Sequence, residues 1–248
     1  FGVDDPIAAS VAKDFYKTIN NSPFYETTLE NAELIKVVYN TFISTKIAMM
    51  NTVMETCHHL PNTNVDDVTN ALALCTDRII SKKYLYGGMG DGGGCHPRDN
   101  IALSYLANKL NLSYNWYDNI MKQREKQTEW LAKLIIEYKG DKEINILGKC
   151  FKPETNLTLG SPSILLYNIL KEMGESPRIW DPYVDGVDDM EATSKKFGWQ
   201  ERGQLFFIGT KHEAFKHFYF HPTSIVIDPF RYLEEKESVK YIPIGKNT

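Results

Sequence analysis

Ile144-Asn145-Ile146-Leu147-Gly148 is where the sequence changes character. Four apolar-rich residues end in a glycine, directly after a long stretch that reads as helix. Further runs of the same kind follow at Arg178–Trp180, Leu205–Ile208, Ile225–Ile227 and Tyr241–Ile244. Helical stretches separate several of them, notably 161–173. Strands that alternate with helices predict a mostly parallel sheet covered on both faces.

Upstream of Gly140 the reading is almost wholly helical. Asp5-Pro6 is a helix start, with Asp as cap and Pro at the first helical position, opening a helix over 6–19. Phe1-Gly2-Val3 reads as the tail of a strand. Thr27-Thr28-Leu29-Glu30 fits a capping box. From about 28 to 59, Leu34, Val38, Phe42, Ile43, Ile47 and Met50 recur at helical spacing, with neither Gly nor Pro between them. A helix this long, apolar on several faces, is expected to be buried between partners. Further helices are expected over Asn64–Ile79, from Asn100 to about Leu110 with Asp99 as cap, and over 117–138. The expected fold class is therefore α+α/β: a long-helix domain over 1–139, then a Rossmann-like α/β domain over 140–248.

Composition narrows the function. Of 248 residues, 42% are apolar, enough for a large core, and the net charge is −4. A non-specific nucleic-acid binder would be basic, so no nucleic-acid partner is expected. The longest apolar run is five residues, Ala71–Cys75. A membrane span needs about 20, so no membrane association is expected, and no leader with a basic start and apolar centre is visible. Cys57, Cys75, Cys95 and Cys150 show no CxxC pairing, which points to a reduced, cytoplasmic setting.

The stretch richest in chemistry is Gly87-Gly88-Met89-Gly90-Asp91-Gly92-Gly93-Gly94-Cys95-His96-Pro97-Arg98-Asp99. Gly88-x-Gly90-x-x-Gly93 spells the dinucleotide fingerprint, but only Tyr84-Leu85-Tyr86 precedes it, and Pro97 intervenes before the expected helix. The fingerprint needs a strand before it and a helix opening within it, so that reading is rejected. A cysteine on a glycine-rich loop is another matter. Glycines let a ligand approach the backbone, and Arg98 with a helix start would favour a thiolate at Cys95. The alternative is a buried, inert thiol. Lys36 and Asn40 lie four apart, on one helix face, among Ile35, Val37, Val38 and Tyr39. Lys36 is either a snorkelling surface residue or a site cation. No metal site is expected: His58-His59 point apart on a helix, and His96 has no partner at ligand spacing. Cys95 and His96 are sequence neighbours, a poor arrangement for nucleophile and base.

These residues resemble the UDP-glucose/GDP-mannose dehydrogenases. Gly90-x-Gly92-Gly93-x-Cys95-x-Pro97-x-Asp99 is similar to the family's catalytic-cysteine loop, and Asn31 to Phe42 to its central-helix motif A-E-L-x-K-x-x-x-N-x-F. Ile146-Leu147-Gly148-Lys149-Cys150-Phe151-Lys152-Pro153-Glu154-Thr155, then Ser161-Pro162-Ser163, resembles the start of its UDP-binding domain. Asp181-Pro182-Tyr183-Val184 and Thr210-Lys211-His212-Glu213-Ala214-Phe215 resemble later landmarks. These motifs stand in the family's order across nearly the whole chain.

The resemblance implies a central helical dimerisation domain carrying the cysteine loop, and a C-terminal UDP-binding domain. It also implies an NAD-binding domain that would precede Phe1, so the chain resembles a truncated member, inactive alone. The implied enzyme is an NAD-dependent oxidoreductase of polysaccharide biosynthesis. It oxidises the C6 alcohol of UDP-glucose or a related UDP-sugar to a carboxylate, through a cysteine thiohemiacetal and thioester. Cys95 would be the nucleophile, Lys36 and Asn40 the oxyanion donors, and Asp99 the water-positioning or proton-relaying group. Tyr84, Leu85, Gly92, Phe151, Lys152 and Arg231 would line the substrate. Arg78 stands one residue out of register with a family arginine. Homodimerisation would run through the long central helix. Gly94 and His96 stand where the family has Ser and Phe, Leu159 stands where it has a cofactor-engaging Arg, and Asp228-Pro229-Phe230-Arg231 replaces its D-G-R start. Two other readings are a GDP-mannose or UDP-HexNAc dehydrogenase, and a non-catalytic dimerisation and nucleotide-sugar-binding module.

Overall fold

Local chemistry sets the helix starts. Asp5 accepts the Ile7 N–H at 2.8 Å and Pro6 sits at the first position, so α1 runs Pro6–Lys17. Thr18 ends it, two residues before the expected stop, with its Oγ1 on Phe15 O at 2.6 Å. The computed structural model describes residues 1–33, 35–36, 45, 49, 56–57, 60–77, 88–90, 95–186, 190–235 and 238–245. The chain divides into two compact units, Phe1–Leu72 and Ala73–Thr248.

In the first unit, Gly2 forms a single parallel bridge with Thr27, with Val3 N donating to Thr27 O at 2.8 Å and Thr27 N to Phe1 O at 3.0 Å. The cap of the next helical segment is Thr28, whose Oγ1 accepts the Asn31 N–H at 3.3 Å. The Asn31 side chain reaches back to Thr27 Oγ1 at 3.0 Å. Asn31 thus takes the place expected of Glu30, one residue on. Residues 29–33, 35–36, 45, 49, 56 and 57 are helical, and the rest of the expected 28–59 helix lies outside the described residues. α2 (Val65–Ala73) starts at Asn64, which accepts the Asp66 N–H at 2.9 Å. It stops short of Ile79: the chain turns there, with Thr76 N donating to Leu74 O at 2.9 Å.

In the second unit, α3 spans Cys95–Lys109 and α4 spans Trp116–Lys139. α3 begins four residues earlier than Asp99, the expected cap. Pro97 does not delay it, because a first-turn proline gives up an N–H that has no helical acceptor. Asn115 ties the two helices together. Its Oδ1 accepts the Asp118 N–H at 3.0 Å and so caps α4, while its Nδ2 donates to Ser104 Oγ at 2.9 Å and Asn108 Oδ1 at 3.0 Å.

Five parallel strands follow: β1 (Ile144–Leu147), β2 (Arg178–Trp180), β3 (Leu205–Ile208), β4 (Ile225–Asp228) and β5 (Lys240–Pro243), in the order β2-β1-β3-β4-β5. α5 (Pro162–Glu172) joins β1 to β2; α6 (Pro182–Asp185) and α7 (Met190–Lys196) lie between β2 and β3. Side chains alternate across the sheet. Ile144, Ile146, Leu205, Phe207, Ile225 and Ile227 face one way, onto Leu131, Ala132 and Ile135 of α4 and Leu166 and Leu170 of α5. Leu147, Phe206, Ile208 and Val226 face the other, onto Trp180, Trp199, Phe215, Phe218 and Phe220. Both faces are covered, which is why these strands read as apolar runs rather than alternations. Asn145 of β1 is a polar side chain buried among them. It accepts from Trp199 Nε1 at 2.8 Å and donates to Gln204 Oε1 at 2.7 Å.

The expected boundary at Gly140 marks the change from helix to strand, but the packing does not divide there. α4 lies against α5, β3 and β4 and belongs to the same compact unit as the sheet.

Candidate active site

In a parallel sheet of this order the connections reverse between β1 and β3, and ligands bind beyond the carboxyl ends of the strands at that point. Here the seam between the two strands is closed. Gly148 has φ +106, and a Cβ there would lie 2.5 Å from Thr210 Cβ. Across the seam, Ser163 Oγ donates to Gly209 O at 2.9 Å. A ligand must therefore lie over this edge, among the loops that leave it.

Two buried carboxylates shape those loops. Asp181 Oδ2 accepts the N–H groups of Lys149 at 2.6 Å and Cys150 at 3.1 Å, and its Oδ1 caps α6 at Tyr183 N, 2.8 Å. His212 Nε2 is 3.0 Å from the same Oδ2. His212 Nδ1 accepts the Glu154 N–H at 3.0 Å, so the ring proton resides on Nε2 and is donated to Asp181. Burial by itself would raise the Asp181 carboxyl. The His212 N–H and the Lys149 and Cys150 N–H groups outweigh it and hold the carboxyl below its ordinary value. Glu154, at φ +57, accepts the Glu213 N–H at 2.7 Å and the Tyr183 hydroxyl. Asp228 does the same for the loop after β4. Its Oδ1 accepts Phe230 N and Arg231 N, at 2.8 and 2.9 Å, and its Oδ2 accepts Tyr232 N, Leu233 N and the Tyr241 hydroxyl.

Cys150, Asp181 and His212 bring three ligand-type atoms within 4.8 Å of one another. The trio does not suit a metal ion. Both imidazole nitrogens are engaged, and burial followed by the Asp181 charge pushes the Cys150 thiol up to about 12. A dinucleotide fits the sheet edge no better. After β1 the chain reads Gly148-Lys149-Cys150-Phe151-Lys152, with one glycine, and Asp181 takes the N–H groups of Lys149 and Cys150.

The expected site residues distribute as follows. Cys95 is the first residue of α3, with Asp99 also in the opening part of the helix; their side chains lie outside the description. Phe151 is half-buried and Lys152 exposed, on the loop after β1. Arg231 lies on the loop after β4 at φ +55, and its guanidinium donates to Pro229 O at 2.5 Å and Ile244 O at 2.8 Å. Phe151, Lys152 and Arg231 thus share the carboxyl edge of the sheet. Lys36 is helical and exposed, in the first unit. Asn40, Arg78, Tyr84, Leu85 and Gly92 lie outside the described residues. Leu159 is 83% exposed.

An open cleft of about 320 Å³ is lined by Gly88, Met89, Gly90, Gln123, Gln127, Lys211 and Phe230. Sequence reasoning missed Gln127, Lys211 and Phe230. For Gln127 a signal existed: it falls on the inward stripe Arg124, Thr128, Leu131 and Ile135, where a polar residue needs an explanation.

Residues 30–125, which span the cysteine loop and the start of α4, match the central domain of the UDP-glucose/GDP-mannose dehydrogenase family. The chain belongs to that family. Among curated UDP-glucose/GDP-mannose dehydrogenase relatives, it is 29% identical to UDP-glucose 6-dehydrogenase TuaD of Bacillus subtilis, over 71% of this chain and 38% of the relative. It is 31% identical to the putative UDP-glucose 6-dehydrogenase YtcA of the same organism, over 72% and 42%. With the UDP-glucose 6-dehydrogenase of Rhizobium meliloti the values are 30%, 73% and 43%. The chain thus spans less than half the length of these relatives. Among solved structures, it overlays GDP-mannose dehydrogenase from Pseudomonas aeruginosa with a TM-score of 0.78 at 19% identity, over 97% of this chain and 59% of that one. That likeness extends the shared fold to the parallel-sheet part of the family member. Among the described residues no helix is long and apolar enough to cross a membrane.

Proposed function

We propose that this chain supplies the nucleotide-sugar site and the nucleophile of a nucleotide-sugar 6-dehydrogenase, with UDP-glucose or a related UDP-sugar as substrate. The observation that carries the reading is the placement of Cys95. It opens a 15-residue helix, at the end of a glycine loop whose base lines a cleft with Lys211 and Phe230 at the carboxyl edge of the sheet. A helix N-terminus favours a thiolate over a thiol.

The chemistry assigned to the chain begins at a C6 aldehyde. The Cys95 sulfur forms a bond to C6, and the carbonyl π pair moves onto oxygen. By family resemblance, Lys36 and Asn40 are the donors to that oxygen, and Asp99 handles the proton. Lys152 takes the sugar or diphosphate. NAD is the hydride acceptor implied for the family. The carboxyl edge of the sheet offers it no glycine-rich cradle.

The homodimer belongs to the same proposal. Ile35 and Met49, both helical, are apolar residues 53% and 38% exposed in the single chain.

The test is a thermal-shift panel of UDP, UDP-glucose, UDP-N-acetyl sugars, GDP-mannose and NAD. A ligand at ~100 times its Kd adds about 2.7 kcal/mol. Stabilisation by UDP and a UDP-sugar, with Cys95 shielded from iodoacetamide by the matching C6 aldehyde, supports the reading. A chain stabilised by no nucleotide sugar sinks it. Binding without any effect of the aldehyde on Cys95 favours the second reading, a non-catalytic binding module.

A further inference from the structure

The base of the cysteine loop is gripped on three sides, all within the second unit. From the middle of α4, Gln127 Nε2 donates to Gly88 O at 2.9 Å, and Gln127 Oε1 accepts the Gly90 N–H at 3.3 Å. One side-chain amide thus brackets a main-chain tripeptide as a neighbouring strand would. Between the two bonds, Met89 packs into the core beneath the sheet. Gly90 has φ +76, and a Cβ there would lie 2.7 Å from Pro162 Cγ, at the start of α5. A Cβ on Gly88 would lie 2.8 Å from the Phe230 ring, on the loop after β4. The tripeptide is wedged sideways by Pro162 and Phe230, while the Gln127 amide holds its backbone at both ends. Cys95 lies only five residues beyond Gly90.

We propose that Gln127 is a positioning residue for the nucleophile: its amide bracket fixes the point from which the glycine loop delivers Cys95. The proposal rests on the reading of Cys95 given above. Its physical basis is a difference in leverage. Two neutral, partly exposed hydrogen bonds weigh little in the stability of the whole unit. A displacement of about 1 Å at a reacting atom costs on the order of 100-fold in rate. A bracket at the foot of a glycine-rich loop acts on position far more than on folding.

Two variants separate these effects. Gln127→Met keeps the bulk and loses both bonds. Gln127→Glu keeps an acceptor for Gly90 N–H and sets a carboxylate oxygen against Gly88 O. The readout, on the full chain, is the concentration of the C6 aldehyde of UDP-glucose that half-protects Cys95 from iodoacetamide. The GDP-mannose C6 aldehyde is run in parallel. The thermal-shift midpoint for UDP and the alkylation of buried Cys150 serve as controls for fold. The expected result is a rise of at least tenfold in the half-protecting concentration for Gln127→Met and a smaller rise for Gln127→Glu. UDP binding should stay within twofold, with Cys150 still sealed.

Half-protecting concentrations within twofold of wild type in both variants overturn the proposal alone. Loss of UDP binding together with opening of Cys150 in both variants shows a folding role and also overturns it. A wild-type Cys95 that neither aldehyde protects overturns the nucleophile reading, and this proposal with it.

Discussion

His212 donates its Nε2 proton to Asp181 across 3.0 Å, with both side chains fully buried, and the same carboxylate holds the loop after β1. Three strand ends therefore meet at one carboxylate: β1 through Lys149 and Cys150, β2 through Asp181 itself, and β3 through His212.

Asp181→Asn keeps the shape but turns one acceptor into a donor facing other donors. Each buried group left unsatisfied costs about 1–3 kcal/mol, so a loss of at least ~2 kcal/mol is expected in urea unfolding. The wild type has its own pH signature. Because the folded carboxyl sits below its usual 3.8, its contribution is complete above that value and fades as pH falls beneath it. Urea midpoints measured from pH 5 down to pH 2.5 should fall in wild type. That part of the fall should vanish in Asp181→Asn.

Cys150 answers at the other end of the scale. Burial pushes its thiol up to about 12, so native chain treated with a thiol reagent at pH 8 should react at exposed Cys75 and leave Cys150 untouched. The sign is opposite to that of Asp181. The stability contribution is whole below the unfolded thiol value and is lost as pH rises toward 12. Reaction of Cys150 at pH 8 without denaturant would contradict the buried hub.

Lys152 and Arg231 should part company. Lys152→Ala removes an exposed cation, so it should weaken UDP binding roughly 10- to 100-fold by titration calorimetry while leaving the unfolding midpoint in place. Arg231→Ala cuts the guanidinium bonds to Pro229 O and Ile244 O, and should cost ~1 kcal/mol or more of stability as well. Equal melting temperatures for the two variants would be inconsistent with this difference.

The homodimer is tested at Met49. Met49→Glu puts a charge into the apolar surface assigned to the partner, and should raise the dimer dissociation constant at least tenfold in sedimentation equilibrium. A monomeric wild type, or a variant as dimeric as wild type, removes the long helix from the interface.

Much of the second unit was legible in the sequence. All five strands lie where apolar runs place them, within about a residue, because a strand buried on both faces leaves no polar positions to confuse its limits. Helix starts were legible where the cap is local, as at Asp5 and Asn64. They were not where a competing signal intruded. Pro97 reads as a barrier to helix, yet α3 begins ahead of it, since a missing N–H costs nothing in a first turn. The packing partner of α4 was not legible for a related reason. Gly140 ends a helix, but the apolar stripe of α4, Leu131 to Ile135, is committed to the sheet beyond it, and no local pattern says which partner a stripe will choose. The inward stripe marks Gln127 itself, but its partners were hidden for the same cause: Gly88 O and Gly90 N are main-chain atoms nearly forty residues away.

The closed seam at the sheet edge carries a consequence for tracing descent. The obstacles to a β-carbon at Gly148 and Gly209 include Thr210 N at 2.6 Å and Gly148 O at 2.7 Å, both main-chain atoms. No compensating change of a neighbour's side chain can make room, so neither glycine can drift while the fold persists. Both glycines are therefore expected to persist in remote homologues of this fold, as fixed posts for setting their register.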